Sequence, residues 1–261
     1  MSPTILRLLI IACFFLSGMT GLIYQTAWAR ILGLVFGNTV HAVSTVLTVF
    51  FAGLAIGAYA LGVVADRWGD RWGKGSLALL YGLLEIGIAL WGFAVPWLFR
   101  VVETLYLHRL HPLDHSLLTL TIVRFLLAFL ILIIPTTLMG GTLPVLVKFF
   151  VRSIGEVGRG FGMLYFVNTL GAALGVALCG FVLFQVTGVT GAIHLTAFFN
   201  FLIGLSACVV ARFALPASRE GKGEIGEGAS SLEEGDHRLS PRLLLVASFL
   251  SGLAALAYET L

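Results

Sequence analysis

Long stretches of this chain carry no charged side chain, and the stretches are punctuated at intervals that suit membrane crossings. No Lys, Arg, Asp or Glu occurs from 8 to 29, from 31 to 65, from 125 to 147, or from 160 to 211. A helix needs about 20 predominantly apolar residues to cross the hydrocarbon core of a bilayer, and each run is long enough. The pattern predicts six complete spans, at roughly 6–26, 41–64, 75–99, 118–142, 159–184 and 190–212, and the start of another from 243. The run from 160 to 211 is too long for one crossing. "QVTGVTG" (185–191), with two glycines among β-branched residues, is the expected turn inside it. Lipid offers no hydrogen-bond partner to open strand edges, so the expected architecture is all-α, a polytopic membrane helical bundle.

Composition agrees with the pattern: 59% of the residues are hydrophobic and 11% charged. About 25% charge is usual for a soluble domain, so a water-facing surface cannot be covered here. The bilayer is therefore the first partner, and nothing in the charge distribution suggests nucleic acid. Cys13, Cys179 and Cys208 all lie in apolar runs and read as small buried side chains.

Orientation follows from the basic residues. With the N-terminus cytoplasmic, Arg7, Arg67, Arg71, Lys74, Lys148, Arg152, Arg159, Arg212, Arg219, Lys222, Arg238 and Arg242 all fall inside. Only Arg30, Arg100 and Arg109 fall outside, and Arg124 lies within a span. Residues 214–241 hold nine charged residues, five glycines, four serines and two prolines, a composition that predicts a flexible cytoplasmic linker. The expected organisation is a six-span bundle at 1–213, the linker at 214–241, and a second membrane unit opening at 242–261.

That second unit repeats the first. Residues 15–27 read "FLSGMTGLIYQTA" and residues 249–261 read "FLSGLAALAYETL", sharing Phe, Leu, Ser, Gly, Leu, Tyr and Thr in register. A six-helix unit, a cytoplasmic linker and a restarted first helix follow the plan of transporters built from two parallel halves. The expectation is a major-facilitator-like six-helix half plus the first helix of a second half, which makes this sequence a fragment of a longer protein. Gln25 in the first copy corresponds to Glu259 in the second, so each copy sets a polar group one residue after a tyrosine.

Several residues are candidates for chemistry. "GVVADRWGDRWGK" (62–74) resembles the loop between helices two and three of the major facilitator superfamily, through Gly62, Asp66, Arg67 and Gly69, with Asp70 inserted before Arg71. That resemblance implies a gate formed by Asp66, Arg67, Asp70 and Arg71, whose contacts change between two states; the bland alternative is a set of interfacial anchors. Glu85 is the only acid inside a complete span, and Arg124 lies near the start of span four, where the superfamily often has a coupling arginine. An intramembrane charge costs at least ~2.5–3.5 kcal/mol at mid-depth and usually finds a partner, so a Glu85–Arg124 pair is the economical expectation. Arg124 snorkelling to the interface is the alternative. Gln25, Asn168, His194 and Asn200 are further polar side chains in spans; the histidine and the two asparagines are read more simply as interhelical hydrogen bonders, whereas Gln25 with Glu259 would give a cation-binding pair if both face a midplane site. Together Glu85, Arg124, Gln25, Asn168 and Glu259 form the candidate solute path. "PTTLMGGTLPVLVKFF" (135–150) predicts a bend in span four, and "GLAIG" (53–57) and "GAALG" (171–175) predict close helix crossings.

Three longer segments, 15–69, "LMGGTLPVLVKFF" (138–150) and "GRGFGMLYFVNTLGAALGVALCGFVL" (158–183), resemble the membrane region of the spermidine synthase-like membrane proteins, a fused major-facilitator/spermidine synthase family. The resemblance implies a bacterial inner membrane location, a link to polyamine metabolism, and a soluble aminopropyltransferase-like domain elsewhere in the protein; the expected role is handling or transporting a small solute such as a polyamine. The rival function is a non-transporting anchor or scaffold for that domain. No Gly-rich nucleotide loop, paired catalytic acids, nucleophile triad or metal-ligand set stands in this chain, so neither a catalytic residue nor a cofactor is expected. The spacing of His108, His111 and His115 lacks a fourth ligand for a metal site.

Overall fold

The computed structural model describes residues 3–36, 39–105, 117–151, 155 and 157–214, and every regular element among them is helical. The helices are α1 (Pro3–Phe36), α2 (Thr39–Trp72), α3 (Lys74–Leu105), α4 (Leu117–Phe150), α5 (Val157–Leu178) and α6 (Phe184–Ala214). A π-helical turn, Cys179–Leu183, continues α5 directly into α6. The chain reverses within α6, at Gly188 (φ 68°, ψ 176°), inside the stretch where a turn was expected. A positive φ of this kind suits a residue without a Cβ. The linker and second-unit residues, Glu259 and the three loop histidines lie outside the described residues.

The helices outrun the predicted spans. At about 1.5 Å per residue, the 34 residues of α1, α2 or α4 reach about 50 Å, well beyond a ~30 Å hydrocarbon core. The segment expected as a loop after span two is helical to Trp72, and α3 begins at Lys74 after the single residue Gly73 (φ 79°). Gly73 donates its N–H to the Gly69 carbonyl at 3.0 Å, while its own carbonyl accepts from Ser76 N–H at 3.1 Å and Ser76 Oγ at 2.6 Å. This one-residue break satisfies backbone groups on both sides of the reversal.

The broadest helix contacts are α2 with α4, α3 with α6 and α1 with α5, followed by α3 with α4 and α1 with α6. Exchanging α1 with α4, α2 with α5 and α3 with α6 maps this set onto itself. The bundle is thus two three-helix repeats, and an odd number of spans per repeat makes them antiparallel. Glycines carry the relation into the sequence. Gly53, Gly57 and Gly62 of α2 recur at the same spacing as Gly171, Gly175 and Gly180. Gly53 and Gly57 press on Thr136 and Thr137 of α4, and Gly171 and Gly175 press on Phe15 and Met19 of α1, with no room for a Cβ at any of the four. Gly82 of α3 and Gly204 of α6 meet each other in the same way, at the crossing that the exchange maps onto itself. Backbones approach closely where side chains are absent, which is how membrane helices gain packing without a hydrophobic driving force.

Three prolines lie inside helices, Pro96 in α3 and Pro135 and Pro144 in α4. Pro135 has no N–H for the carbonyl of Ile131, and Trp91 Nε1 of α3 donates to that carbonyl at 2.8 Å. Large apolar side chains such as Leu34, Tyr59, Phe181 and Val186 are more than three-quarters exposed, as expected of a bundle whose exterior meets lipid.

Candidate functional site

Two apolar clusters fill the bundle, and the same helices contribute to both. Near one end Leu6 to Phe14 of α1, Leu77 to Leu84 of α3 and Ile203 to Val210 of α6 pack together. Toward the other end the cluster holds Tyr24 to Leu32 of α1, Ile88 to Phe99 of α3, and Ile193 and Ala197 of α6. Between them, on each of the three helices, stands a polar residue: Ser17, Glu85 and Asn200. They are in contact. Ser17 Oγ donates to Glu85 Oε1 at 2.5 Å and Asn200 Nδ2 donates to Glu85 Oε2 at 2.7 Å. Glu85 has 0% and Asn200 1% of its surface exposed, whereas Ser17 is half-buried. The layer is a polar plane across an apolar interior, and burial there makes each missing partner costly.

Partners are incomplete. Asn200 Oδ1 and the Tyr81 hydroxyl are buried without a hydrogen bond. Tyr81 stands one helical turn before Glu85 and faces both the carboxylate and Ser17, but not in hydrogen-bonding geometry. Phe14 holds its ring edge-on at 6.3 Å. Two more buried groups on α1, Tyr24 hydroxyl and Trp28 Nε1, also lack partners, and their rings stack at 5.2 Å.

The expected Glu85–Arg124 pair is not formed. Both carboxylate oxygens are held by Ser17 and Asn200, and Arg124 sits half-buried near the start of α4. Depth explains the difference. Along α4, Arg124 is about 36 Å from Lys148, whereas Glu85 is only about 16 Å along α3 from its start beside the Lys148 end of the bundle. Asn168 of α5 donates Nδ2 to the Phe14 carbonyl of α1 at 3.2 Å, an interhelical bond at the α1–α5 crossing. Gln25 is half-buried on α1. Glu85 is thus not brought together with Arg124, and Gln25 and Asn168 make no bond to it. Sequence reasoning missed Ser17 as a partner. Its place in the repeated "FLSG" was visible, but the register between helices was not.

At the end of the bundle a second ionic group forms. Lys148 Nζ donates to Asp66 Oδ1 at 2.9 Å, to Asp70 Oδ1 at 3.2 Å and to the Asp66 main-chain carbonyl at 3.0 Å. One lysine of α4 thereby clasps the last turns of α2. Gly69 makes the clasp feasible, since a Cβ there would crowd Lys148 Cε at 3.0 Å. Asp66 and Asp70 are spaced one turn apart on one helix face, and Arg67 and Arg71 project outward beside them, Arg71 over the Trp72 ring at 5.4 Å.

Among known proteins, no curated relative matches and no solved structure matches. The family model of the Major Facilitator Superfamily, however, matches residues 9–261, nearly the whole chain. An all-helical bundle of antiparallel three-helix repeats, multi-pass by the length and apolarity of its helices, agrees with that match. The chain belongs to the Major Facilitator Superfamily, as a transporter-type membrane domain.

Proposed function

We propose that this protein moves a small solute across the bacterial inner membrane by alternating access, and that the solute is cationic, of the polyamine class. The observation that carries transport over anchoring is Glu85, a carboxyl group enclosed at mid-bundle with only neutral donors on its two oxygens. An acid enclosed in a membrane bundle is costly, and such residues mark solute or ion pathways by default. The clasp at Lys148 supports the same reading, because exposed ion pairs can exchange partners between two states at little cost. In this reading Asp66, Arg67, Asp70 and Arg71 form the gate, the N-terminus faces the cytoplasm, and Gln25, Asn168 and Arg124 border the solute path. The polyamine class, and a fused aminopropyltransferase-like domain as partner, rest on the resemblance of segments 15–69, 138–150 and 158–183.

The test is uptake of radiolabelled putrescine and spermidine by proteoliposomes of the native, full-length protein. Uptake above protein-free liposomes, abolished by Glu85→Gln, is the expected result. Absence of uptake for both compounds removes the polyamine class; normal uptake by Glu85→Gln removes the role of the buried carboxyl.

A further inference from the structure

The clasp commits both acids at the end of α2 to Lys148 and leaves the arginines between them without a counter-charge. Asp66 and Asp70 are each bonded to the lysine, and among the described residues neither Arg67 nor Arg71 forms an ion pair. Both arginines are exposed. Their four-residue spacing sets them one turn apart on one helix face, within reach of a single anion. Arg71 lies over the exposed Trp72 ring at 5.4 Å, which steadies its guanidinium beside an indole of the kind that lodges at a membrane–water interface. Toward mid-membrane the same face of α2 continues with Val63, Ala60 and Ile56, all exposed and all apolar. One stripe of one helix thus runs from bare apolar side chains into two unpaired cations beside a tryptophan.

We propose that this stripe binds one anionic phospholipid of the leaflet at the clasp end, of the phosphatidylglycerol type. Arg67 and Arg71 hold its phosphodiester, Trp72 lies at the level of its glycerol, and an acyl chain follows Val63, Ala60 and Ile56. The proposal goes beyond the transport reading and does not rest on it. Each guanidinium presents a planar fork of N–H donors that matches phosphate oxygens. A zwitterionic choline headgroup would bring its own cation against two arginines, and a free phosphate could not use the apolar stripe. The exposed Arg7, Arg159 and Arg212 stand at the same end, since their neighbours Leu6, Leu164 and Val210 share one apolar cluster with Ala65 of α2. The whole end therefore attracts anionic lipid, and Arg67 with Arg71 is the pair that combines one helix face with a tryptophan. A bound lipid also favours the clasp. Asp70 lies three residues after Arg67, close enough to pair with it, and a phosphate on the arginine removes that competitor to Lys148.

The experiment is thermal unfolding of the purified full-length protein in dodecyl maltoside micelles without solute, titrated with phosphatidylglycerol, phosphatidylcholine or glycerol phosphate at constant ionic strength. A saturable rise in Tm with phosphatidylglycerol alone is the expected result. Arg67→Gln combined with Arg71→Gln removes the rise, and either change alone raises the half-maximal lipid fraction about 5-fold, the loss expected of one basic residue at an anionic surface. Arg7→Gln combined with Arg212→Gln leaves the half-maximal fraction unchanged. Four outcomes overturn the proposal. No rise with any lipid means that the rest of the protein covers the stripe. An equal rise with phosphatidylcholine means that the chains alone bind, and an equal rise with glycerol phosphate means a soluble anion. An equal loss in the Arg7 and Arg212 pair means diffuse attraction to a basic end. Should the Arg67 and Arg71 double variant not fold, an unaltered half-maximal fraction in both single variants overturns it instead. No solute enters the assay, so the result stands whether or not the protein transports.

Discussion

The molecule holds its carboxylates in two opposite ways. Glu85 lies at mid-bundle with neutral partners from α1 and α6, while Asp66 and Asp70 lie at the bundle end, largely exposed, and share the cation of Lys148. Coulomb attraction alone would favour the lysine for the buried acid, where the dielectric is low. The protein does the reverse, and the difference tells what each group is for. A buried acid without a built-in counter-charge can take up and release one, so its charge state can vary. An exposed acid with a built-in cation can change partners, since water compensates either arrangement at a cost near zero. The first arrangement leaves a charge without a fixed partner, and the second leaves a partner that can be exchanged.

Removing the acid at the core breaks the comparison most strongly. Glu85→Ala leaves Asn200 Nδ2 without an acceptor and opens a cavity between two apolar clusters, for an expected loss of about 2–3 kcal/mol in denaturing-detergent unfolding. Glu85→Gln keeps the volume and is expected to lose far less stability. If both variants unfold together, the carboxylate's charge is structural and its contrast with the clasp disappears. Asn200→Ala comes next. Interhelical hydrogen bonds in membrane proteins contribute about 0.6 kcal/mol, with a maximum near 1.7, and the bond to Glu85 belongs toward the upper end because both partners are fully buried. Trp91→Phe is expected to cost about 1 kcal/mol. It strips the donor from the Ile131 carbonyl that Pro135 leaves free, a purely structural bond, so transport should fall no more than folding does.

How much of this was legible in the sequence depends on whether one dimension suffices. Uncharged runs marked the crossings, and two glycines in "QVTGVTG" marked the reversal that Gly188 makes. Helix ends were less legible, because charges mark the edge of the bilayer and α1, α2 and α4 continue past it. The stretch after span two was expected as a loop from its likeness to a loop. Yet Asp66 and Asp70, like Arg67 and Arg71, are four residues apart, the spacing of a helix face. Glu85 was identifiable as the one acid inside a complete span. Its partners were not, since choosing Arg124 required only charge balance, whereas Ser17 and Asn200 required the relative depth of three helices. The repeat within the bundle was hidden for the same reason. Small-residue spacing on α2 and α5 is common in membrane helices, and only the shared pattern of crossings shows the two to be equivalent.

The smallest expected effect sharpens the comparison most. Lys148→Met removes the shared cation but keeps the aliphatic stem that packs by Gly69. Asp66 and Asp70 are exposed, so water takes over their solvation and stability should fall by less than about 1 kcal/mol. Added salt should erase even that difference, because a pair near the surface is screened within about 8 Å at physiological ionic strength. Transport should respond differently. Freed of Lys148, the last turns of α2 lose their tie to α4, and the rate of exchange between states should change while solute affinity stays fixed. A KM near the wild-type value with an altered maximal rate is the expected signature. An equal loss at high and low salt would instead mean that the bond from Lys148 to the Asp66 carbonyl is what matters, and that the clasp caps α2 rather than gating it.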